Sequence, residues 1–273
     1  MRTFFNVEVA ARAMLSPAML RLTFAGEELR DFVSTGIGDE YLRLFFPDPA
    51  TGERVLPIID AEGRWRYDDD KPPVRCATYT VRRFDPARRS LDIDLVLHEG
   101  GTACGWARDA RPGDAMVLNR PRGLYAPPED FRWQLLMADA TGIPALARLL
   151  EQTPQDIRSR VVIEVAEAAH RQPLPAHPGA VVSWIEGAGN GVAPSALEAA
   201  FRALKLPETP GYVWVAAEQE AARAIRQQAK RTRRLPPERC KIVAYWVEAP
   251  RRAPPAAGLS PALQAALAEG WAG

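Results

Sequence analysis

The stretch "ATYTVRRFDPARRSLDIDLVLHEGGTACGWARDARPGD", residues 77–114, decides the fold. It opens as one arm of a hairpin: a strand running up to Phe84, a turn at Asp85-Pro86, and a return arm in which Leu91, Ile93 and Leu95 alternate with Asp92 and Asp94. The return arm is plain in character, apolar on one face and polar on the other. The first arm is not, since it carries Tyr79, Thr78, Thr80, Arg82 and Arg83 where a merely structural strand would carry filler. Immediately after the return arm, Gly100 and Gly101 open into a short helical segment.

Outward from this hairpin, the same period of two recurs in "NVEVAARAMLSPAMLRLTFAG" (6–26, around Ser16-Pro17), in "YLRLFFPDP" (41–49) and in "RPGDAMVLNRPRG" (111–123). About six short strands with polar turns and a single short helix predict a small antiparallel barrel. Past Gly123-Leu124 the pattern changes. Continuous apolar runs, "WQLLMAD" (133–139), "RVVIEVAEA" (160–168), "AVVSWIEG" (180–187), "YVWVAAE" (212–218) and "CKIVAYWVE" (240–248), alternate with helical spacing near 144–151, in "APSALEAAFRAL" (193–204) and in "EAARAIRQQAKRT" (220–232). Such alternation predicts a parallel, doubly wound sheet. A Pro-rich link, "APRRAPPAAGLSP" (249–261), precedes a last short amphipathic helix. The fold class is therefore two-domain β plus α/β. Residues 1–125 form an N-terminal antiparallel six-stranded barrel, residues 126–273 form a C-terminal doubly wound parallel α/β sheet, and a crevice between the two is where a ligand is expected.

Composition narrows the function classes. The 273 residues are 47% hydrophobic and 25% charged with a net charge of +1, so nucleic acid is not an expected partner. No apolar run approaches the roughly 20 residues of a membrane span, and the N-terminus lacks a signal peptide pattern, so a cytoplasmic protein is expected. Cys76, Cys104 and Cys240 lie far apart, and only three histidines are present. Neither a disulfide framework nor a metal centre built from protein ligands is expected.

On a strand, Tyr79 and Thr80 point to opposite faces and Arg82 shares a face with Thr80. A tyrosine ring suits an isoalloxazine, a threonine hydroxyl or its amide suits the polar edge of that ring, and an arginine suits a phosphate or an anionic substrate. At the glycine pair, the backbone amides of Thr102, Ala103 and Cys104 form a free first helical turn, which is a ready anion site, with His98 beside it. The plainer readings stay open: a strand that pairs its polar residues with neighbours or water, and an ordinary strand-to-helix turn capped by Thr102. "GAGNGVAP" (187–194) is glycine-rich but follows a strand in the wrong half of the sheet for a dinucleotide fingerprint, and is read as a loop.

The block "TYTVRRFDPARRSLDIDLVLHEGGTACGWARDARPGDAMVLNRPRG" (78–123) resembles the siderophore-interacting proteins, flavin-dependent ferric-siderophore reductases of the ferredoxin-reductase superfamily. "LRLTFAGEELRDFVSTG" and "LRLFFPDP" before it, and "LLMADATGIPALARLLE", "VWVAAEQEAARAIRQQ" and "AYW" after it, extend the resemblance over nearly the whole chain. The resemblance implies FAD as cofactor, NAD(P)H or a ferredoxin as electron donor, and a ferric siderophore as substrate. It places Tyr79 and Thr80 on the isoalloxazine with Thr78 and Arg82 nearby. Val96, His98, Gly101, Thr102, Ala103 and Cys104 fall at the diphosphate and adenine end, with Trp106 supporting the helix. Thr141 falls at the cofactor and donor, and Asp139 and Glu218 at the donor site. Trp246 either packs on the flavin or fills the domain junction. Four positions depart from the family pattern: Ala77 for an arginine, Cys104 for a serine, Ala140 for a glutamate and Ala217 for a glycine. Arg75, on the same face two residues before Ala77, is the expected substitute on the cofactor phosphate. Because ferric siderophores are often anionic, Lys230, Arg231, Arg233, Arg234, Lys241 and Arg251 are the expected substrate contacts. The alternatives are a non-catalytic relative that binds siderophore or flavin, and a flavin reductase with another acceptor.

Overall fold

A computed structural model of the chain describes residues 2–60, 64–68, 70–248, 259–268 and 271. It divides into two compact units, one of residues 1–36 and 40–123, the other of residues 37–39 and 124–273.

The first unit comprises β1 (Phe4–Ser16), β2 (Met19–Ala25), β3 (Tyr41–Phe45), β4 (Ile58–Ile59), β5 (Trp65–Arg66), β6 (Cys76–Asp85), β7 (Ser90–Val96), α1 (Thr102–Asp109) and β8 (Ala115–Asn119). Six of these strands close an antiparallel barrel in the order β1-β2-β7-β6-β3-β8, as the alternating sequence runs require. Leu20, Leu22 and Phe24 from β2, Leu91, Ile93 and Leu95 from β7, and Leu42 and Leu44 from β3 fill its interior at a few per cent exposure or less. The tiny β4–β5 hairpin, which has no periodic signal in the sequence, is additional to the six.

Two features of the wall matter for function. First, the β6–β7 ladder runs only from Asp85↔Ser90 to Val81↔Ile93. From Cys76 to Thr80, β6 pairs with β3 on its other side, and no pairing with β7 is found there among the described residues. Second, a register shift between Val81 and Arg83 interrupts the alternation. Val81 and Phe84, three residues apart, both pack on the barrel core, as do Ala77 and Tyr79. The bulge sets Arg82 and Arg83 side by side between the core-facing Val81 and Phe84, so the alternation that relates Arg82 to Thr80 stops there and is not carried on to Arg83.

The second unit comprises β9 (Trp133–Ala138), α2 (Ile143–Gln152), β10 (Arg158–Val165), β11 (Ala180–Glu186), α3 (Leu197–Ala203), β12 (Gly211–Glu218), α4 (Gln219–Arg231), β13 (Cys240–Trp246) and α5 (Pro261–Ala268). Its sheet is parallel, in the order β11-β10-β9-β12-β13, so the winding reverses between β9 and β12. Strands buried on both faces read as continuous apolar runs. Accordingly, Trp133, Leu135 and Met137 pack with α3 and α4 on one face. On the other, a side chain at Gly142, heading α2, would meet Ala138 Cβ at 2.7 Å and Ala216 Cβ at 3.0 Å. Residues 37–39 belong here because the Asp39 carboxylate accepts from the Leu124 and Tyr125 amides at 2.8 Å and from Trp214 Nε1 at 3.0 Å. Among the described residues no helix is long and apolar enough to cross a membrane.

Candidate functional site

In the barrel unit, the two halves of the decisive stretch come together. Helix α1 starts at Gly101, whose φ of 83° only glycine adopts readily, and no side chain caps the helix. Gly105 N closes the first helical bond onto Gly101 O at 3.1 Å. That leaves the amides of Thr102, Ala103 and Cys104 without an acceptor among the described residues. Thr102 does not cap the helix, so the plainer reading of this turn is set aside. The His98 ring lies against Gly101, where a Cβ would approach its Cε1 to 3.3 Å. The helix is fixed from behind. Arg108 donates to the His98 carbonyl at 2.8 Å, and the buried Cys104 thiol donates to the Val96 carbonyl at 3.2 Å. Trp106 stacks on Phe24 with centroids 6.4 Å apart and meets Phe46 edge-on at 5.7 Å.

Tyr79 sits under this helix start. Burial, and after it the nearness of Cys104, push its phenol well above the usual range, so the ring remains neutral and apolar in character. Thr80 is 4% exposed and points to the opposite face from Tyr79, while Thr78 is exposed. The first-turn amides of α1 and the Cys76–Thr80 edge of β6 thus offer two sets of backbone groups with no partner among the described residues. Such groups call for one. This arrangement fits FAD, whose phosphates suit the helix start and whose ring edge suits the strand.

Arg75, the expected substitute on the cofactor phosphate, has a carboxylate beside it. It precedes β6 and its guanidinium is paired with Asp48, at 2.8 Å through Nη2 and 3.0 Å through Nε. The Ala50 amide first, and Arg75 after it, hold the Asp48 carboxyl below its ordinary value. Ala77, where the family has arginine, packs on the barrel core.

At the carboxyl ends of the parallel strands, Asp139 is fully buried and accepts four hydrogen bonds. Thr141 donates from N at 2.9 Å and from Oγ1 at 2.5 Å, the Glu218 amide at 2.9 Å, and Trp246 Nε1 at 2.7 Å. Asp139, Thr141, Glu218 and Trp246 are thereby one cluster, and Trp246 has a structural partner. Burial pushes the Asp139 carboxyl up despite these donors. Beside it, burial first and Asp139 second push Glu164 up to about 8. One oxygen of Glu164 accepts from Ala196 N at 2.9 Å and the other has no partner among the described residues. Glu218 also caps α4 through the Glu220 and Ala221 amides. The 187–194 segment is a loop, as expected, with left-handed φ at Gly187, Gly189, Asn190 and Gly191.

The expected basic cluster fares unevenly. Lys230, Arg231 and Arg234 are exposed and Lys241 is half-buried. Arg233 is consumed in ending α3: it donates to the carbonyls of Phe201 and Leu204, each at 2.6 Å, and lies 4.8 Å over the Phe201 ring. Arg251 lies outside the described residues.

A cationic site that sequence reasoning missed lies in the barrel unit. A cavity of about 310 Å³ is lined by Tyr41, Leu42, Arg43, Trp65, Tyr67, Asn119, Arg120 and Arg122. Its arginines come from β3 and from the end of β8, and neither Arg43 nor Arg122 has a carboxylate partner among the described residues. Arg120 donates to Arg2 O at 2.6 Å. The cavity adjoins the strand predicted to carry the flavin, since Tyr41 pairs with Thr80 and Arg43 with Thr78. No local spacing could have revealed it, because β3, the end of β8 and the β4–β5 hairpin are brought together only by folding.

Known proteins resemble both units of the chain. Residues 8–125 match the siderophore-interacting FAD-binding domain and residues 131–249 match the siderophore-interacting protein domain. The chain is 30% identical over 246 residues to the NADPH-dependent ferric-chelate reductase of Escherichia coli, covering 89% of this chain and 92% of that one. It is 28% identical over 243 residues to the ferric vibriobactin reductase ViuB of Vibrio cholerae, covering 88% of each. A siderophore utilization protein from T. fusca superposes with a TM-score of 0.79 at 32% identity, over 93% of this chain and 97% of that one. A ferredoxin NADP+ reductase from Neisseria gonorrhoeae shares the fold, with a TM-score of 0.60 at 12% identity over 90% of this chain and all of the other. With an uncapped helix start beside an open strand edge, and relatives of this kind over nine-tenths of its length, the chain belongs to the siderophore-interacting proteins, flavin-dependent oxidoreductases built on the ferredoxin-reductase fold.

Proposed function

We propose that this protein reduces ferric siderophores to release their iron, using bound FAD and electrons from NADPH. The observation that carries this reading is the adjacency, within one unit, of the uncapped α1 start, the unpaired Cys76–Thr80 edge of β6, and a cationic cavity on the neighbouring strand. FAD, when bound there, would supply the redox chemistry that converts two-electron donation into single-electron transfer. The protein's residues do the rest. The amides of Thr102, Ala103 and Cys104 hold the phosphates, with His98 alongside, and Tyr79 and Thr80 line the ring. Arg43, Arg120 and Arg122 attract an anionic chelate to the strand next to it. Transfer to iron requires closeness and charge complementarity rather than an acid or base on the metal.

For the donor, the E. coli relative's NADPH dependence supports the same cofactor here. The Asp139, Thr141 and Glu218 cluster at the winding reversal is the place in such a sheet where a nucleotide binds. Cys76, Cys104 and Cys240 are all free thiols, which suits a reducing compartment, and we place the activity in the cytoplasm. The test is turnover by FAD-loaded protein on a ferric siderophore with NADPH, NADH or reduced ferredoxin, with ferrous iron trapped by a colorimetric chelator. Ferrous iron formed fastest with NADPH is the expected result. FAD retention without ferrous iron under any donor refutes the reductase reading.

A further inference from the structure

The loop after β11, residues 187–194, reaches the carboxyl end of β9 beside Asp139 and Thr141, and the function proposed above gives it no task. One side chain ties it down. Asn190 Nδ2 donates to the carbonyls of Glu164 at 3.2 Å and Ala188 at 3.1 Å, which fixes the orientation of the amide, and Oδ1 accepts from the Ala140 amide at 3.0 Å. Asn190 has φ 56°, which asparagine tolerates, and left-handed glycines flank it at 189 and 191. The seat of the loop is not fully satisfied. Gly189 lies so close to Glu164 that a Cβ there would collide with Oε1, the buried oxygen with no partner among the described residues. Val192, in the same loop, is 60% exposed.

In a sheet of this winding, the turn from β9 into α2 is where a nucleotide's phosphates meet free amides. Here those amides are spent. Asn190 takes Ala140 N, the Asp139 carboxylate takes Thr141 N at 2.9 Å and the Thr141 hydroxyl at 2.5 Å, and the Asp139 carbonyl takes Gly142 N at 3.1 Å. Asp139 belongs to the turn itself, so its bonds travel with it. Of these acceptors Asn190 alone comes from another segment. Its neutral oxygen is a weaker acceptor than a phosphate, whose charge-assisted bonds are roughly twice as strong. We propose that Asn190 competes with the donor's phosphate for the Ala140 amide and thereby sets nucleotide affinity, so that phosphate binding at the turn displaces the 187–194 loop. This rests on the nucleotide-donor reading given above.

The probes are NADP+ and inorganic pyrophosphate, titrated calorimetrically into FAD-loaded wild type, Asn190→Gly and Gly189→Ala. Glycine at 190 removes the side chain without opposing the left-handed φ. Asn190→Gly is expected to bind both probes about three- to tenfold more tightly, the size of one released hydrogen bond. Gly189→Ala forces the loop off Glu164 and shifts affinity in the same direction. A purely structural role for Asn190 predicts the opposite sign, since loosening a support weakens binding. Unchanged or weaker NADP+ binding by folded Asn190→Gly protein, or a gain for NADP+ without one for pyrophosphate, overturns the proposal. If Asn190→Gly does not fold, Gly189→Ala decides by the same criterion. Tighter NADP+ binding alongside NADPH that cannot reduce the flavin would refute the donor reading and leave Asn190's role standing. Equal affinities with NADPH still reducing the flavin would do the reverse, and no NADP+ binding by any of the three proteins refutes both.

Discussion

The phosphate end of the cofactor site can be tested with a pair of glycines in one helix. Gly101 holds φ 83° and ψ 140°, outside the regions open to other residues, and it orients the amides that follow. Gly101→Ala imposes a strain of about 1–3 kcal/mol. The added Cβ, 3.3 Å from His98 Cε1, meets an exposed ring that swings aside, so strain is the dominant cost. If the chain relieves that strain by rotating the peptide after Gly101, the amides turn from the phosphates and FAD affinity falls by the same energy, roughly 5- to 150-fold. Gly105 is the control: it lies inside α1 with open space around its Cα. Gly105→Ala removes backbone freedom from the unfolded chain and stabilises by about 0.5–1 kcal/mol without weakening FAD. Urea unfolding of the apoprotein measures the first quantity and quenching of flavin fluorescence on titration measures the second. A Gly101→Ala protein with wild-type stability and wild-type FAD affinity would refute the reasoning, as would a Gly105→Ala protein that binds FAD as poorly as Gly101→Ala.

Three further outcomes are expected. Glu164 titrates near 8 when folded and near its ordinary 4.5 when unfolded, so between those values the folded chain holds a proton that the unfolded chain has released; stability then falls by a few kcal/mol as pH rises through this window, at up to ~1.4 kcal/mol per unit. Glu164→Gln flattens that slope in urea melts at pH 5 and pH 8, and a variant whose offset from wild type is the same at both contradicts it. Asp139→Asn turns an amide against donors now satisfied by the carboxylate, including Trp246 Nε1 and the Glu218 amide; it is expected to cost at least ~2 kcal/mol and to shift the Trp246 emission, and unchanged unfolding refutes it. Arg43→Gln lowers the rate of reduction of anionic ferric chelates about tenfold at low ionic strength and flattens its salt dependence, whereas a neutral chelate is little affected.

The sequence carried the architecture because its two periods are local properties. Alternation in 77–96 marked the hairpin, and continuous apolar runs after Leu124 marked the parallel sheet. The glycine-led helix start was legible for the same reason, since the need for positive φ is written at Gly100 and Gly101 themselves. What escaped depends on contacts between distant residues. Arg75 stands without a neighbouring carboxylate in the local sequence, and only folding brings Asp48 to it from 27 positions away. The bulge at Arg82 leaves no mark in composition, only in which residues face β7. The cavity unites Arg43, Trp65 and Arg122, which lie on three segments that are unremarkable apart, whereas the run at Lys230–Arg234 is conspicuous because its cations are consecutive in the chain. The perturbation of Glu164 likewise arises from burial beside Asp139, which no local pattern in its strand encodes.

The central claim is that the barrel unit grips FAD and hands its electrons to a chelate held on the adjacent strand. The most direct measurement is anaerobic rapid mixing of the photoreduced, FAD-loaded protein with a ferric siderophore, following the flavin absorbance and trapped ferrous iron together. The account predicts that the oxidised flavin band returns in step with ferrous iron, at a rate that saturates with chelate concentration. Protein that retains no FAD, or whose reduced flavin persists beside an intact ferric chelate, would contradict it.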